Sequence, residues 1–189
     1  MKKLIALFII LVSTSVFAQG SNSPNISYSM AGLEVGFKWA GADITGTDSS
    51  KQVLGFLVGG SAVFNFAPSF GLKTGLFYNE RPFEATTAGA VNTKGKITYF
   101  DVPVLLMFKF EDYAGVYFGP SISMKMSDEI SPGKLTDIKG MVVPITVGAQ
   151  FKFAPNLGMN IYFESVSGDL ALGVKNSRAV GASLLVTFD

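Results

Sequence analysis

The stretch Val143-Pro-Ile-Thr-Val-Gly-Ala-Gln-Phe-Lys-Phe-Ala-Pro-Asn-Leu-Gly-Met159 decides the fold. Its odd positions read Val143, Ile145, Val147, Ala149, Phe151 and Phe153, and its even ones Pro144, Thr146, Gly148, Gln150 and Lys152. One face is wholly apolar and the other small or polar, the period-two signature of a β-strand. Ala154-Pro155-Asn156 then supplies residues suited to a sharp reversal, and a second strand-like run starts at Leu157. Phe-x-Phe ahead of such a turn recurs at Phe64 and Phe108 as well as Phe151, 44 and 43 residues apart, which marks a repeating structural unit.

The same alternation extends along the chain. From Phe100 the even positions (Phe100, Val102, Val104, Leu106, Phe108, Phe110) are apolar, while the odd ones hold Asp101, Pro103, Leu105, Met107 and Lys109. Val116 to Met126 repeats the contrast, with Gly115, Tyr117, Gly119, Ser121, Ser123 and Lys125 on the second face. Weaker versions run over Leu33–Trp39, Leu54–Phe66, Phe70–Tyr78, Leu157–Phe163 and Val180–Phe188, making eight strands. Tight turns at Ala67-Pro68-Ser69, Glu111-Asp112-Tyr113 and Ala154-Pro155-Asn156 alternate with longer polar links, Gly41–Gln52, Glu80–Gly95, Ser127–Gly140 and Ser167–Asn176. Short turns at one end and long loops at the other are the layout of a transmembrane barrel. The expected fold is therefore all-β: an eight-stranded antiparallel up-and-down transmembrane β-barrel over residues 30–189. The Phe-x-Phe pairs are expected in the aromatic belt at the short-turn interface, with Trp39, Tyr78 and Tyr99 near the opposite rim.

Composition agrees with this reading. The 189 residues are 48% hydrophobic and only 15% charged, against roughly 25% charged in soluble domains. Cys and His are absent, so no disulfide framework, thiolate metal site or imidazole chemistry is available. Lys2 and Lys3, the apolar run Leu4–Val12, the polar Ser13–Ser15 and Val16-Phe17-Ala18 read as a secretory signal peptide, residues 1–18, cleaved after Ala18. Residues 19–29, rich in Ser and Asn, read as a flexible periplasmic lead-in. Without Lys2 and Lys3 the chain carries 13 basic and 14 acidic residues, which gives no electrostatic case for nucleic acid. Asn25-Ile26-Ser27 fits a glycosylation acceptor, but the short Lys-led signal has a bacterial character, so chance explains it better.

Glu34, Lys38, Lys73, Asp101, Lys109, Lys125, Lys152, Glu164 and Arg178 are expected inside the barrel or near its rims. Opposite signs should pair across the lumen, since an unpartnered buried charge is costly. Eight strands leave an interior that side chains just fill, which argues against an open pore. The alternative is a soluble periplasmic barrel of lipocalin type carrying an apolar ligand. That fold requires a charged exterior, whereas the second face here is rich in Gly, Ser and Thr. An enzyme working through the loop carboxylates Glu80 with Glu84, or Asp128 with Glu129, lacks an orienting partner. No catalytic, cofactor-binding or metal-ligating residue is assigned, and no cofactor is expected.

Tyr99-Phe100-Asp101-Val102-Pro103-Val104-Leu105-Leu106, followed by Gly115-Val116-Tyr117-Phe118-Gly119-Pro120, resembles the outer-membrane beta-barrel domain family that includes PorT-like proteins. More distantly the layout is similar to the small OmpA and OmpX type of barrel. The resemblance implies an outer-membrane location, contact with outer-membrane lipid and recognition by the barrel-assembly machinery. Some relatives of this kind assist protein secretion, others look like adhesins or structural barrels, and most have no assigned role. The expected function is a structural or partner-binding role carried by the extracellular loops, with an unknown protein partner there and an accessory role in secretion as its close variant.

Overall fold

In the computed structural model, residues 27–47, 49–86, 92–111 and 113–188 are described. The expected signal peptide and most of the expected lead-in lie outside them. The strands are β1 (Ser27–Ile44), β2 (Ser49–Lys51), β3 (Val53–Ala67), β4 (Phe70–Thr86), β5 (Asn92–Glu111), β6 (Ala114–Ser131), β7 (Met141–Val142), β8 (Ile145–Ala154), β9 (Leu157–Ser165), β10 (Asp169–Ala171) and β11 (Val174–Thr187). Eight of them, β1, β3, β4, β5, β6, β8, β9 and β11, pair in chain order, and β1 pairs antiparallel with β11 from Gly32–Thr187 to Ile44–Val174. The sheet is a closed antiparallel up-and-down barrel. Closure leaves no sheet edge within the membrane, where water cannot satisfy free backbone groups.

Side-chain facing follows the sequence pattern. Val147, Phe163, Val180, Phe118 and Leu106 point outward and are exposed, whereas Thr146, Glu164, Tyr117, Leu105 and Ser183 point inward and are buried. An apolar exterior around a polar interior is the reverse of a lipocalin, and the soluble alternative is set aside on that ground.

Aromatic rings collect at the short-turn end as expected. Phe66, Phe70, Phe108 and Phe110 form a chain of ring contacts, with centroids 6.5, 5.2 and 5.1 Å apart. Trp39 and Tyr78 face outward further up the strands. Tyr99 does not join them: its ring is fully buried in the lumen, because it belongs to the odd, inward face of β5. Arg178 lies on the outward face of β11 and is exposed instead of lumenal.

Several strands run past their expected ends. β4 reaches Thr86 and β5 starts at Asn92, so most of the expected Glu80–Gly95 loop is a hairpin, paired from Glu80–Thr98 to Thr86–Asn92. Glu80, Glu84, Asp128 and Glu129 consequently lie on strands and not in loops. β1 begins at Ser27, inside the expected lead-in. A bulge in the β5–β6 ladder, between the pairs Thr98–Ser127 and Tyr99–Lys125, adds one residue to β6. Such an insertion flips the facing beyond it, and Ile130 accordingly packs toward the lumen mouth. Pro144 separates β7 from β8; its carbonyl still accepts the Ser121 N–H at 2.9 Å, which keeps the β6 side of the wall connected.

Inward glycines make room for inward rings. Tyr162 lies against Gly181, where an added Cβ would come 2.5 Å from the ring, and Tyr117 lies against Gly148 at 2.6 Å. Each glycine is the direct cross-strand partner of its ring. Small and large residues thus alternate around a narrow interior so that it fills.

Candidate functional site in the sealed interior

Three cations and three carboxylates meet inside the barrel. Arg81, on β4, is at the centre: its Nε donates to Glu164 Oε1 at 3.1 Å and its Nη2 to Asp101 Oδ2 at 2.9 Å and to Ser123 Oγ at 3.2 Å. The guanidinium also stands 4.7 Å from the centroid of the Tyr99 ring. Lys38 Nζ donates to the same Glu164 oxygen at 3.1 Å, and Asn79 Nδ2 donates to Asp101 at 2.7 Å and to Glu164 at 3.2 Å. Nearer the short-turn end, Lys73 Nζ pairs with Glu34 at 3.0 Å and donates to Gln150 and Asn160 at 2.6 and 2.9 Å. Glu34 accepts further hydrogen bonds from Ser61, Ser183 and Asn160. Every one of these charges is buried and has an opposite partner, as the sequence led us to expect.

Sequence reasoning named five of the six, but not Arg81, which fell in a segment read as a loop. The signal was present in Phe77, Asn79, Arg81, Phe83 and Ala85, which alternate with Tyr78, Glu80, Pro82 and Glu84. Of the other candidates, Lys125 pairs with Asp128 at 2.6 Å near the upper rim, and Lys109 and Lys152 lie beside the short turns.

Apolar clusters flank the charged layer toward both ends of the barrel. Met30, Val63, Met107 and Leu185 are fully buried toward the short-turn end. At the long-loop end Phe83, Ile97, Val142, Leu170 and Val174 pack together, with Leu135 and Ile138 added from the β6–β7 loop. Backbone hydrogen bonds hold this cap in place. Lys139 N donates to Leu170 O at 2.8 Å, Leu172 N to Thr136 O at 3.0 Å and Thr45 N to Gly173 O at 2.9 Å.

The carboxylates proposed as loop pairs are occupied in other ways. Glu80 pairs with Lys96 at 2.9 Å, Glu84 with Lys94 at 3.3 Å and Lys51 at 3.7 Å, and Glu129 with Lys96 at 3.7 Å. Partial desolvation acts to raise the Glu84 carboxyl. Hydrogen bonds from Asn92 and Lys94, with the charges of Lys94 and Lys51, outweigh it and hold the group below its ordinary value. Among the described residues no group of three or more acidic side chains is placed to hold a metal ion.

A closed barrel with a lipid-facing apolar exterior and an interior of paired charges defines a small outer-membrane β-barrel protein. The chain matches the outer membrane protein beta-barrel domain family over residues 17–168 and belongs to it, which places it in the outer membrane. Among solved structures it is similar to Neisserial surface protein A. The two are 16% identical, with a TM-score of 0.52, over 86% of this chain and 99% of that one. Ail of Yersinia pestis (15% identity, 82% and 97% covered, TM-score 0.46) and OprG of Pseudomonas aeruginosa (11%, 83% and 94%, 0.46) are also similar. No curated protein matches the sequence. At these identities the likeness to Neisserial surface protein A concerns the fold.

Proposed function

We propose that this barrel is a non-enzymatic surface protein that works through contacts made above its extracellular rim. The observation that supports it is the filling of the interior. A lumen crowded by paired charges and flanked by apolar clusters toward both ends leaves no wide route for a solute among the described residues. Above the rim, in contrast, β4, β5 and β6 extend into a taller wall. Beyond Lys125, whose N–H bonds Gly140 O at 2.8 Å, β6 pairs only with β5 among the described residues. Ser127–Ser131 is therefore a free edge of the kind that accepts a partner's strand. Asp128 and Glu129 on that edge oppose self-pairing of two identical copies.

In this reading residues 1–18 direct export and are removed after Ala18, the barrel-assembly machinery inserts the chain, and the loops meet a protein partner. An accessory role in secretion is the same reading with an exported protein as the partner.

The test has two parts. Purified barrel in planar lipid bilayers is expected to give no single-channel steps, and reproducible steps would overturn the reading of an obstructed lumen. Cells displaying the barrel are expected to adhere to protein-coated surfaces, and the double variant Glu129→Lys/Lys94→Glu should adhere less at equal surface display. Equal adhesion by cells with the barrel, with the variant and without either would remove the surface-contact reading.

A further inference from the structure

Three of the chain's seven methionines gather at one place on the outer wall. Met124 on β6 stands directly opposite Met141 on β7, and Met126 follows two residues along β6. All three are exposed, at 44%, 63% and 55%. We propose that their thioethers form a binding site for a soft monovalent metal ion of the copper(I) class.

The strand pairing brings the sulfurs together. The Lys125 N–H bonds Gly140 O at 2.8 Å and the Ser121 N–H bonds Pro144 O at 2.9 Å, so the odd residues of β6 make the hydrogen-bonded pairs here. Met124–Met141 is therefore a non-hydrogen-bonded pair, the kind whose Cα atoms approach to about 4.5 Å and whose side chains lie closest. The extra residue of the β5–β6 bulge falls after Lys125, so Met126 keeps the outward parity of Ile122 and Met124. Two residues at about 3.3 Å each separate it from Met124. Unbranched side chains with three rotatable bonds span such gaps, so one ion can collect all three sulfurs.

The cluster also lies where an ion can arrive. Phe110 belongs to the short-turn belt on β5, and Phe100, the cross-strand partner of Met124, is ten residues above it. Ten residues of a strand tilted by about 40° rise roughly 25 Å, the height of the apolar band. The methionines accordingly stand at the opposite membrane interface, in one cross-strand row with Tyr78 and Phe100.

The donor set selects the guest. Thioether sulfur is neutral and polarizable, and soft ligands of this kind select copper(I). Calcium and magnesium require oxygen ligands, and the carboxylates further along β6, Asp128 and Glu129, are engaged by Lys125 at 2.6 Å and Lys96 at 3.7 Å. Neutral ligands leave the ion's charge uncompensated beside lipid, which favours one charge over two. The Phe100 ring next to Met124 adds a neighbour that attracts both cations and sulfur. The chain has no Cys or His to compete for the ion. Gap-filling accounts for a single methionine on the outer face, such as half-buried Met159 on β9, but not for three converging at one spot.

The experiment titrates the full barrel, folded in lipid nanodiscs with carbon-13 in its methionine methyl groups, with silver(I) nitrate in chloride-free buffer. The methyl signals of Met124, Met126 and Met141 are expected to shift together and to reach a plateau at a single silver per barrel. Met159 and the buried Met30 and Met107 should not move with them. Met124→Leu, a swap that nearly conserves volume, should keep the heat-dependent gel mobility and lose the common plateau, while Met159→Leu should leave the plateau unchanged. No saturable shift in the wild type, equal shifts at Met159, or a plateau that survives Met124→Leu would each overturn the proposal. None of these results depends on what the extracellular wall binds.

Discussion

At the scale of single residues, the barrel is organised around Arg81. Two carboxylates are fully desolvated beside it, and Lys38 compensates only Glu164 directly. Removing one partner of a buried pair leaves a charge without compensation, at a cost of about 3–5 kcal/mol. Arg81→Met is therefore expected to lower the unfolding free energy by that amount, and Arg81→Met/Asp101→Asn to recover part of it. The measurement is urea unfolding from lipid vesicles followed through Trp39, the chain's single tryptophan and a lipid-facing one. Glu34, Lys38, Lys73, Asp101 and Glu164 were legible as inward charges because each sits in a strand whose other face is plainly apolar. Arg81 was not, for a physical reason. Near the water interface the outward face turns polar too, at Glu80 and Glu84, and the contrast that reveals a strand fades. Tyr99 erred in the opposite direction. An aromatic at a strand's end suggests a belt, yet its odd position already placed it with Asp101 on the inner face.

At the scale of the strand, facing is the quantity that matters. Thr146 and Val147 are neighbours on β8, one buried in the lumen and the other 48% exposed toward lipid. Arginine at the middle of the lipid face costs about 2–4 kcal/mol. Val147→Arg should destabilise the folded barrel by that much, while Thr146→Ser should shift the unfolding midpoint little, in the same vesicle assay. Equal effects would mean that the facing of β8 is wrong. The strands' central portions were legible because lipid on one side and a crowded lumen on the other impose opposite chemistry on successive residues. Their upper extensions were not, since β4, β5 and β6 above the bilayer have water outside and the apolar cap inside only at Phe83, Ile97 and Ile130. The extra residue in β6 also breaks the parity that the eye follows, so Asp128 and Glu129 looked like a loop. Nothing in the pattern announced the cap itself. Leu135 and Ile138 are isolated apolar residues in a polar link, Leu170 belongs to the short apolar run Leu170-Ala171-Leu172 of another, and only the folded loops bring them together.

At the scale of the whole molecule, the closed hydrogen-bonded wall sets how the protein behaves in detergent. Unheated barrel should migrate on a detergent gel differently from boiled chain, and should sediment with the outer membrane of the expressing cell. A single mobility with recovery in the soluble periplasmic fraction would contradict the closed transmembrane wall. Barrel class and strand number were readable from the period-two alternation together with the turn rhythm, because short turns and longer links alternate between the strands. The crowded lumen was readable only in outline: eight strands imply a narrow bore, but which rings fill it depends on where Tyr162 meets Gly181 and Tyr117 meets Gly148. The seam between β1 and β11 governs assembly in time as well as shape. β1 leaves the ribosome first of all the strands and must hydrogen-bond to the one that leaves last. Until β11 arrives, both flanks of the growing sheet expose open backbone, and each is a template on which another chain's strand can pair.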